Sequence, residues 1–241
     1  MDEALLKPAM QMATELRLPI PNESEEYARA REALLAGEIE LRRQHERLAQ
    51  QRRALPAGPK ITGDYRFIDE NGQEVGLPDL FGRHSTLFTY SWMFGPNRKR
   101  PCPMCTAFVG PLAANARDLM ENIAVAVIGG STVERQKAFA AERGWRDLKF
   151  VQSINNDFAH DFQSLVPAPD GSGEWEIPAF AVFSKEGETV RLFWASQFRF
   201  EMADPGQDHR GWTDTAPLWM MLDLTPGGRP KNWHAKLSYD R

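Results

Sequence analysis

Thr86-Leu-Phe-Thr-Tyr-Ser-Trp92 is a largely apolar, β-rich run, and ten residues beyond it stands Cys102-Pro103-Met104-Cys105. A buried strand followed by two cysteines, two residues apart at the start of a helix, decides the reading of the chain. The first turn of a helix carries about half a positive charge and free N–H groups, and both stabilise a thiolate. Two intervening residues bring the second sulfur within bonding reach across one helical turn. Pro103 suits that turn, because the N–H it lacks has no helical partner there. Arg98, Lys99 and Arg100 add positive charge just upstream. In such a pair the first cysteine is the exposed nucleophile, and the second attacks the mixed disulfide and releases the product. Cys102 and Cys105 are therefore the candidate catalytic residues, with Pro103 and Met104 between them on the substrate side.

Working outward, segments 65–68 and 74–77 flank Asp69-Glu70-Asn71-Gly72, a strong hairpin signal. A turn follows at 78–82. Downstream of the cysteines the pattern predicts a helix over 101–121, kinked at Gly110-Pro111, and a buried strand over 123–128. Ser131 with Glu134 forms a capping box that opens a helix ending at Gly144. A strand over 148–152, a helix over 156–165 and a loop over 167–173 come next. Strands over 179–183 and 189–194 are joined by Lys185-Glu186-Gly187-Glu188. Strands alternating with helices argue for an α/β fold, a mixed central sheet flanked by helices on both faces with the last two strands antiparallel. From residue 196 the chain is rich in Trp, Pro, Gly and Asp, with one short helical pattern at 216–222. Turns at Asp204-Pro-Gly-Gln-Asp208 and Thr225-Pro-Gly-Gly228 are expected to place this tail near the cysteine end of the sheet.

Before the hairpin lies a helical arm. Residues 1–21 read as a short helix ended by Pro19 and Pro21. A long helix follows over 23–55, with Asn22 as its cap and Glu25 three residues on. Tyr27, Leu34, Leu41, Leu48 and Leu55 recur every seven residues, but the second apolar seam of a coiled coil is missing. The narrow stripe is expected to lie along the main domain or to form a homodimer through the N-terminal helix. Seven Arg and seven Glu between residues 22 and 55 balance as a solvated face. The organisation is thus 1–60 arm, 61–195 α/β domain, 196–241 C-terminal extension packed on it.

The whole chain has 241 residues and a formal charge of −4, with 42% apolar and 26% charged residues, as in a soluble globular protein. A mildly acidic chain lacks the basic face that nucleic acid asks for. No apolar run reaches the roughly 18 residues of a membrane helix. Met-Asp-Glu-Ala-Leu-Leu-Lys-Pro at the start lacks the pattern of a secretory signal, so the expected location is cytoplasmic. Two cysteines exclude a disulfide-stapled fold. They also fall short of the four ligands of a structural zinc, and the five His are scattered, so no metal is assigned. A pair of inert core cysteines is the remaining bland reading.

These residues resemble the thioredoxin-like superfamily. The run Phe67-Ile-Asp-Glu-Asn-Gly-Gln-Glu-Val-Gly-Leu-Pro-Asp-Leu-Phe-Gly82 is similar to the lead-in of its peroxiredoxin-like and periplasmic reductase-like members. Ile177-Pro178-Ala-Phe-Ala-Val-Phe183 resembles the strand that opens with a cis-proline beside the active cysteines. The resemblance implies that Pro178 takes that place and that the backbone at Ile177 pairs with substrate. A closer resemblance is to a bacterial thioredoxin-like family of unknown function, number eight-nine-nine. It rests on Met93-Phe-Gly-Pro96, the Cys-Pro-x-Cys pair, Arg143-Gly-Trp145 and Asn156-Asp-Phe158.

The chain departs from thioredoxin in two ways. No Trp directly precedes the cysteine pair, and residues 86–92 hold no Asp or Glu to take a proton from Cys105, which leaves solvent, Tyr90 or another group. The Pro-x-x-x-Thr/Ser-x-x-Cys pattern of a dedicated peroxidase is also missing, with Lys99 three residues before Cys102. The expected activity is thiol–disulfide exchange with a disulfide-containing substrate or a low-molecular-weight thiol, with no cofactor. A binding or scaffold module on the same fold and a thiol peroxidase are the alternatives. Arg191 reads as a solvated arginine, Trp92, Trp194, Trp212 and Trp219 as packing residues, and Gly129-Gly130 as too short a glycine run for a phosphate loop.

Overall fold

The computed structural model describes residues 5–155, 157–196, 216–230 and 233–239. Trp212, Asn156 and the Asp204–Asp208 turn lie outside these. Two compact units divide the chain, Met1–Pro56 and Ala57–Arg241.

The first unit is a helical hairpin of α1 (Ala9–Leu16) and α2 (Glu25–Arg53). Ser24, not Asn22, caps α2: its hydroxyl accepts the Tyr27 N–H at 3.1 Å, while Asn22 sits at φ 63° in the turn before it. The cap falls there because Ser24 has the extended backbone a cap requires. Ile39 and Ala13 are buried within the unit, whereas Tyr27, Leu34 and Leu41 are about half exposed.

In the second unit, β1 (Arg66–Ile68) and β2 (Glu74–Gly76) form the expected hairpin, with Gly72 at φ 76° in its turn. A 3-10 turn over Leu77–Phe81 leads to β3 (Thr86–Ser91). Then come α3 (Pro103–Ala114), α4 (Ala116–Met120), β4 (Ala124–Gly129), α5 (Val133–Glu142), β5 (Lys149–Ser153) and α6 (Asp157–Asp161). The chain continues through β6 (Leu165–Pro167), β7 (Glu174–Glu176), β8 (Ala179–Glu186), β9 (Thr189–Ala195) and α7 (Pro217–Asp223). Among the described residues the main sheet has the order β2-β1-β5-β4-β3-β8-β9. β5, β4 and β3 are parallel, and β8, β9 and β1 run antiparallel to their neighbours. A parallel centre, two antiparallel strands after it and a cysteine pair opening the helix after β3 make this a thioredoxin-like fold.

Alternate residues of the central strands feed two cores, one on each face of the sheet. Leu87, Ala126, Ile128, Val151 and Phe183 pack with Phe67, Phe81 and Phe158. Tyr90, Val125, Val127, Phe150 and Phe180 pack with Trp92, Phe108, Phe139 and Cys105. With both faces covered, β4 reads as a continuous apolar run, and β3 buries Leu87, Tyr90 and the polar Thr89 and Ser91. Each fully buried Phe or Leu contributes about 1.5–3 kcal/mol.

Three local expectations are corrected. The single helix expected over 101–121 is two: α3 runs through Pro111 to Ala114 and α4 starts at Ala116, with Asn115 between them outside the helical region at φ −102°, ψ 9°. Gly110 removes the Cβ that would meet the Pro111 ring, and so lets the helix continue. Thr132, not Ser131, caps α5 and faces the Arg135 N–H at 3.5 Å. Ser131 is one residue too early because its N–H is spent on the Phe94 carbonyl. The stretch from 165 to 176, read as the end of a helix and a loop, contains the two-stranded sheet β6–β7.

Arg191 is not merely solvated: it donates to the Gly58 carbonyl and pins the entering chain along β9. α7 packs against α3 within the second unit, so part of the tail does lie beside the cysteine helix. No helix among the described residues is long and apolar enough to cross a membrane.

Candidate active site

The cysteine loop is built on the carboxyl end of β3. Trp92 extends the ladder by donating its N–H to Ile128, and Phe94 folds back onto the Trp92 carbonyl. The Cys102 N–H returns to the Met93 carbonyl at 3.0 Å, which closes the loop and aims the chain into α3. Cys102 is the N-cap at φ −59°, ψ 130°, and Pro103 is the first helical residue, as its fixed φ favours. Thr106 donates both its N–H and its hydroxyl to the Cys102 carbonyl at 3.0 Å. The helix therefore begins at the residue that carries the first sulfur.

The two sulfurs differ in environment. Cys102 is half-buried, and Cys105 is 1% exposed in the apolar core; both are free thiols. The neighbouring Cys105 thiol, joined by the N–H groups of Cys105 and Met104 and by the charge of Arg98, lowers the Cys102 pKa to about 6 against the cost of burial. The neutral thiol makes no capping bond; the N–H groups act on the thiolate. Burial drives the Cys105 pKa well up, and the Cys102 sulfur pushes in the same direction. One thiol is thus ionised near neutrality and the other is held protonated behind it.

The loop between Phe94 and Cys102 is tied down from several sides. Arg135 of α5 donates to the Pro96 and Arg98 carbonyls and lies over the Phe94 ring. Arg100 forms a two-pronged pair with Glu142. Arg98 is paired with Glu176 of β7. That carboxylate also leaves no space at Gly95, where a Cβ would stand 2.6 Å from Glu176 Oε1. Beneath the loop, Gln136 is fully buried and satisfied: it accepts from the Trp92 indole at 3.0 Å and donates to the Ser131 and Val151 carbonyls. Glu176, Arg135 and Gln136 were not singled out from the sequence. Gln136 does carry a signal, because it stands at a core position of α5 between Val133 and Phe139.

Ile177 and Pro178 follow β7 directly. Ala179, the next residue, is paired with Ser91, so Ile177-Pro178 runs beside the end of β3 where the cysteine loop departs. Sequence places Pro103, Met104, Ile177 and Pro178 around the pair, and the sheet register brings both segments to that edge. The expected cis bond before Pro178 is absent: the described residues contain no cis peptide. Ile177 donates to the Ser164 carbonyl, and the chain passes from β7 into β8 without the tight turn that a cis-proline serves. Gly129 has a packing role, since a Cβ there would lie 2.7 Å from the Trp92 indole nitrogen. Trp92 is buried in the core, and Trp219 meets Trp233 edge-on. No group of three or more His, Cys, Asp or Glu among the described residues is placed to hold a metal.

Comparison of this fold with solved structures finds PrxQ from Xylella fastidiosa, crystallised as a cysteine-to-serine mutant, at 12% identity and a TM-score of 0.46, covering 58% of this chain and 84% of that one. A peroxiredoxin-like protein from Aquifex aeolicus matches at 15% identity and a TM-score of 0.44, over 58% of this chain and 75% of that one. The exposed lipoprotein thioredoxin Etrx1 from Streptococcus pneumoniae matches at 13% identity and a TM-score of 0.39, over 65% and 99%. Comparison with curated protein sequences gives no match. The sequence matches one family model over residues 17–240, nearly its whole length, and the chain accordingly belongs to the family described as bacterial protein of unknown function, DUF899.

Proposed function

We propose that the chain is a thiol–disulfide oxidoreductase in which Cys102 attacks a substrate disulfide and Cys105 resolves the mixed disulfide. The observation that carries this reading is the unequal pair at the start of α3. The outer sulfur is partly exposed and its pKa is lowered to about 6, while the inner thiol is buried and its pKa is pushed well up. A thiolate is the attacking species in exchange, and a protected second thiol in contact with it ends the reaction within the protein. Ile177 and Pro178 lie beside the end of β3, next to the loop that carries the pair, and the substrate disulfide or small thiol is received against them. Inert core cysteines are both sealed and protonated; Cys102 is neither.

The test is turnover of a model disulfide with a thiol reductant. Cys102→Ser is expected to abolish exchange, and Cys105→Ser to accumulate mixed disulfides visible by mass spectrometry. Undiminished turnover by Cys102→Ser overturns the assignment.

A further inference from the structure

We propose that Glu176 is a positioning residue of the site: its carboxylate ties the cysteine loop to the segment Ile177-Pro178 and holds the two in register for a disulfide that meets both. This rests on the redox reading above and names the group that aligns its two halves.

The cysteine loop leaves β3 through a turn, Gly95-Pro96-Asn97-Arg98, closed by the Arg98 N–H on the Gly95 carbonyl at 3.2 Å. Both ends of this turn meet one carboxylate. Arg98 is paired through its Nε with Glu176 Oε2. At Gly95 the three atoms nearest to a Cβ would be Oε1, Cδ and Oε2 of Glu176, at 2.6, 3.0 and 3.4 Å. Only a residue without a Cβ lets the carboxylate lie against the turn. The pair is partly buried, so solvent and salt screen it less than an exposed one.

On its other side the turn is gripped by the stretch after β4. The Ser131 N–H donates to the Phe94 carbonyl at 2.7 Å, and a Cβ on Gly130 would lie 3.4 Å from the Pro96 ring. Arg135 donates to the Pro96 and Arg98 carbonyls. These contacts fix the turn to β4 and α5, whereas Glu176 fixes it to the substrate side. Glu176 ends β7, and Ile177-Pro178 follow it directly, before Ala179 pairs with Ser91. The Cys102 sulfur and the receiving segment therefore belong to separate stretches of chain, and the Glu176 carboxylate bridges them. A disulfide attacked by Cys102 while its own chain rests on 177–178 needs both at a fixed spacing, and a small misplacement slows attack. Glu176 exchanges no proton or bond; it acts through Arg98 and Gly95.

The experiment follows oxidation of the reduced full-length chain by two probes, with loss of thiol labelling read by mass spectrometry. One is the disulfide dimer of the neutral peptide acetyl-Ala-Cys-Ala-amide, and the other is hydroxyethyl disulfide. In each reaction the cysteine pair is oxidised to one disulfide and the probe is reduced to two thiols. The peptide can rest on 177–178 while it meets Cys102; hydroxyethyl disulfide is too short to do so. Glu176→Ala is expected to slow oxidation by the peptide about tenfold or more, and oxidation by the small probe less than about twofold. Gly95→Ala, which drives the carboxylate off the turn, is expected to give the same split. Added to Glu176→Ala it is expected to slow the peptide reaction by less than about a further twofold. Equal effects on both probes, no effect on the peptide, or independent effects of the two substitutions overturn the role of Glu176. So does a wild-type chain that only the small probe oxidises. Oxidation of the wild-type chain by neither probe refutes the redox reading itself. Should Glu176→Ala fold poorly, Glu176→Gln keeps the shape and removes the charge. It is expected to give the same split at about threefold, and no split overturns the proposal.

Discussion

Trp92 and Gln136 are joined inside the protein by a 3.0 Å hydrogen bond from the indole nitrogen to the side-chain oxygen, and both residues are buried. Trp92 ends the strand that leads to the cysteines, and Gln136 belongs to the helix that covers it. The same amide holds the Ser131 and Val151 carbonyls, so one side chain locks β4, β5 and the root of the cysteine loop together.

Gln136→Leu is nearly isosteric and leaves three buried partners without a mate. The expected loss is about 2–4 kcal/mol, since each unsatisfied buried group costs about 1–3 kcal/mol and relaxation recovers part of it. Urea unfolding at unchanged slope measures it. A loss below about 0.5 kcal/mol is expected only if water replaces the amide, and contradicts the locking role.

Two glycines separate space from propensity. A Cβ at Gly129 meets the Trp92 indole and the Gln136 amide at 2.7 and 2.8 Å, whereas one at Gly37 of α2 meets nothing within 4 Å. Gly129→Ala is expected to destabilise by about 1–3 kcal/mol through overpacking. Gly37→Ala is expected to stabilise its helix by about 0.5–1 kcal/mol. Thermal melts of the two variants read opposite signs; the same sign for both contradicts the packing described.

The Cys102 thiolate sets a pH signature. Alkylation by iodoacetamide is expected to rise with pH through a midpoint at about 6. Cys105→Ala, which removes the leading influence, is expected to raise that midpoint more than Arg98→Met, which removes only the weakest of the named influences. Linkage fixes the sign for stability. The folded pKa lies below the roughly 8.5 of an unfolded thiol, so the contribution is full above about 8.5 and is lost as pH falls through 6. Cys105 and Tyr90 are shifted upward and stay neutral in both states below that window. The reduced protein is therefore expected to gain melting temperature from pH 6 to 8.5 relative to Cys102→Ser. Parallel pH curves for the two proteins contradict the assignment.

The parts of the fold legible in the sequence are those with local chemistry. Asn71-Gly72 announces the first hairpin because one turn type demands those residues. The apolar runs of β3 and β4 announce buried strands, and the cysteine spacing announces the start of α3. The missed parts depend on partners distant in sequence. β6 and β7 are three residues each and pair off the main sheet, so neither presents a period to read. Glu176 has no local mark, and only the folded chain sets it against Arg98. The caps of α2 and α5 miss by one or two residues, because adjacent Ser, Thr and Asn look alike until the backbone selects one.

Cys105 is sealed in the core, whereas Cys102 is partly open. In the proposed thiol–disulfide exchange, every electron pair that enters or leaves through this couple crosses a single sulfur atom. Oxidant and reductant use the same opening and cannot be engaged together. The kinetic form expected of the proposed exchange is ping-pong: one partner departs before the next arrives, the protein carries the exchanged electrons between visits, and an excess of either partner delays the other.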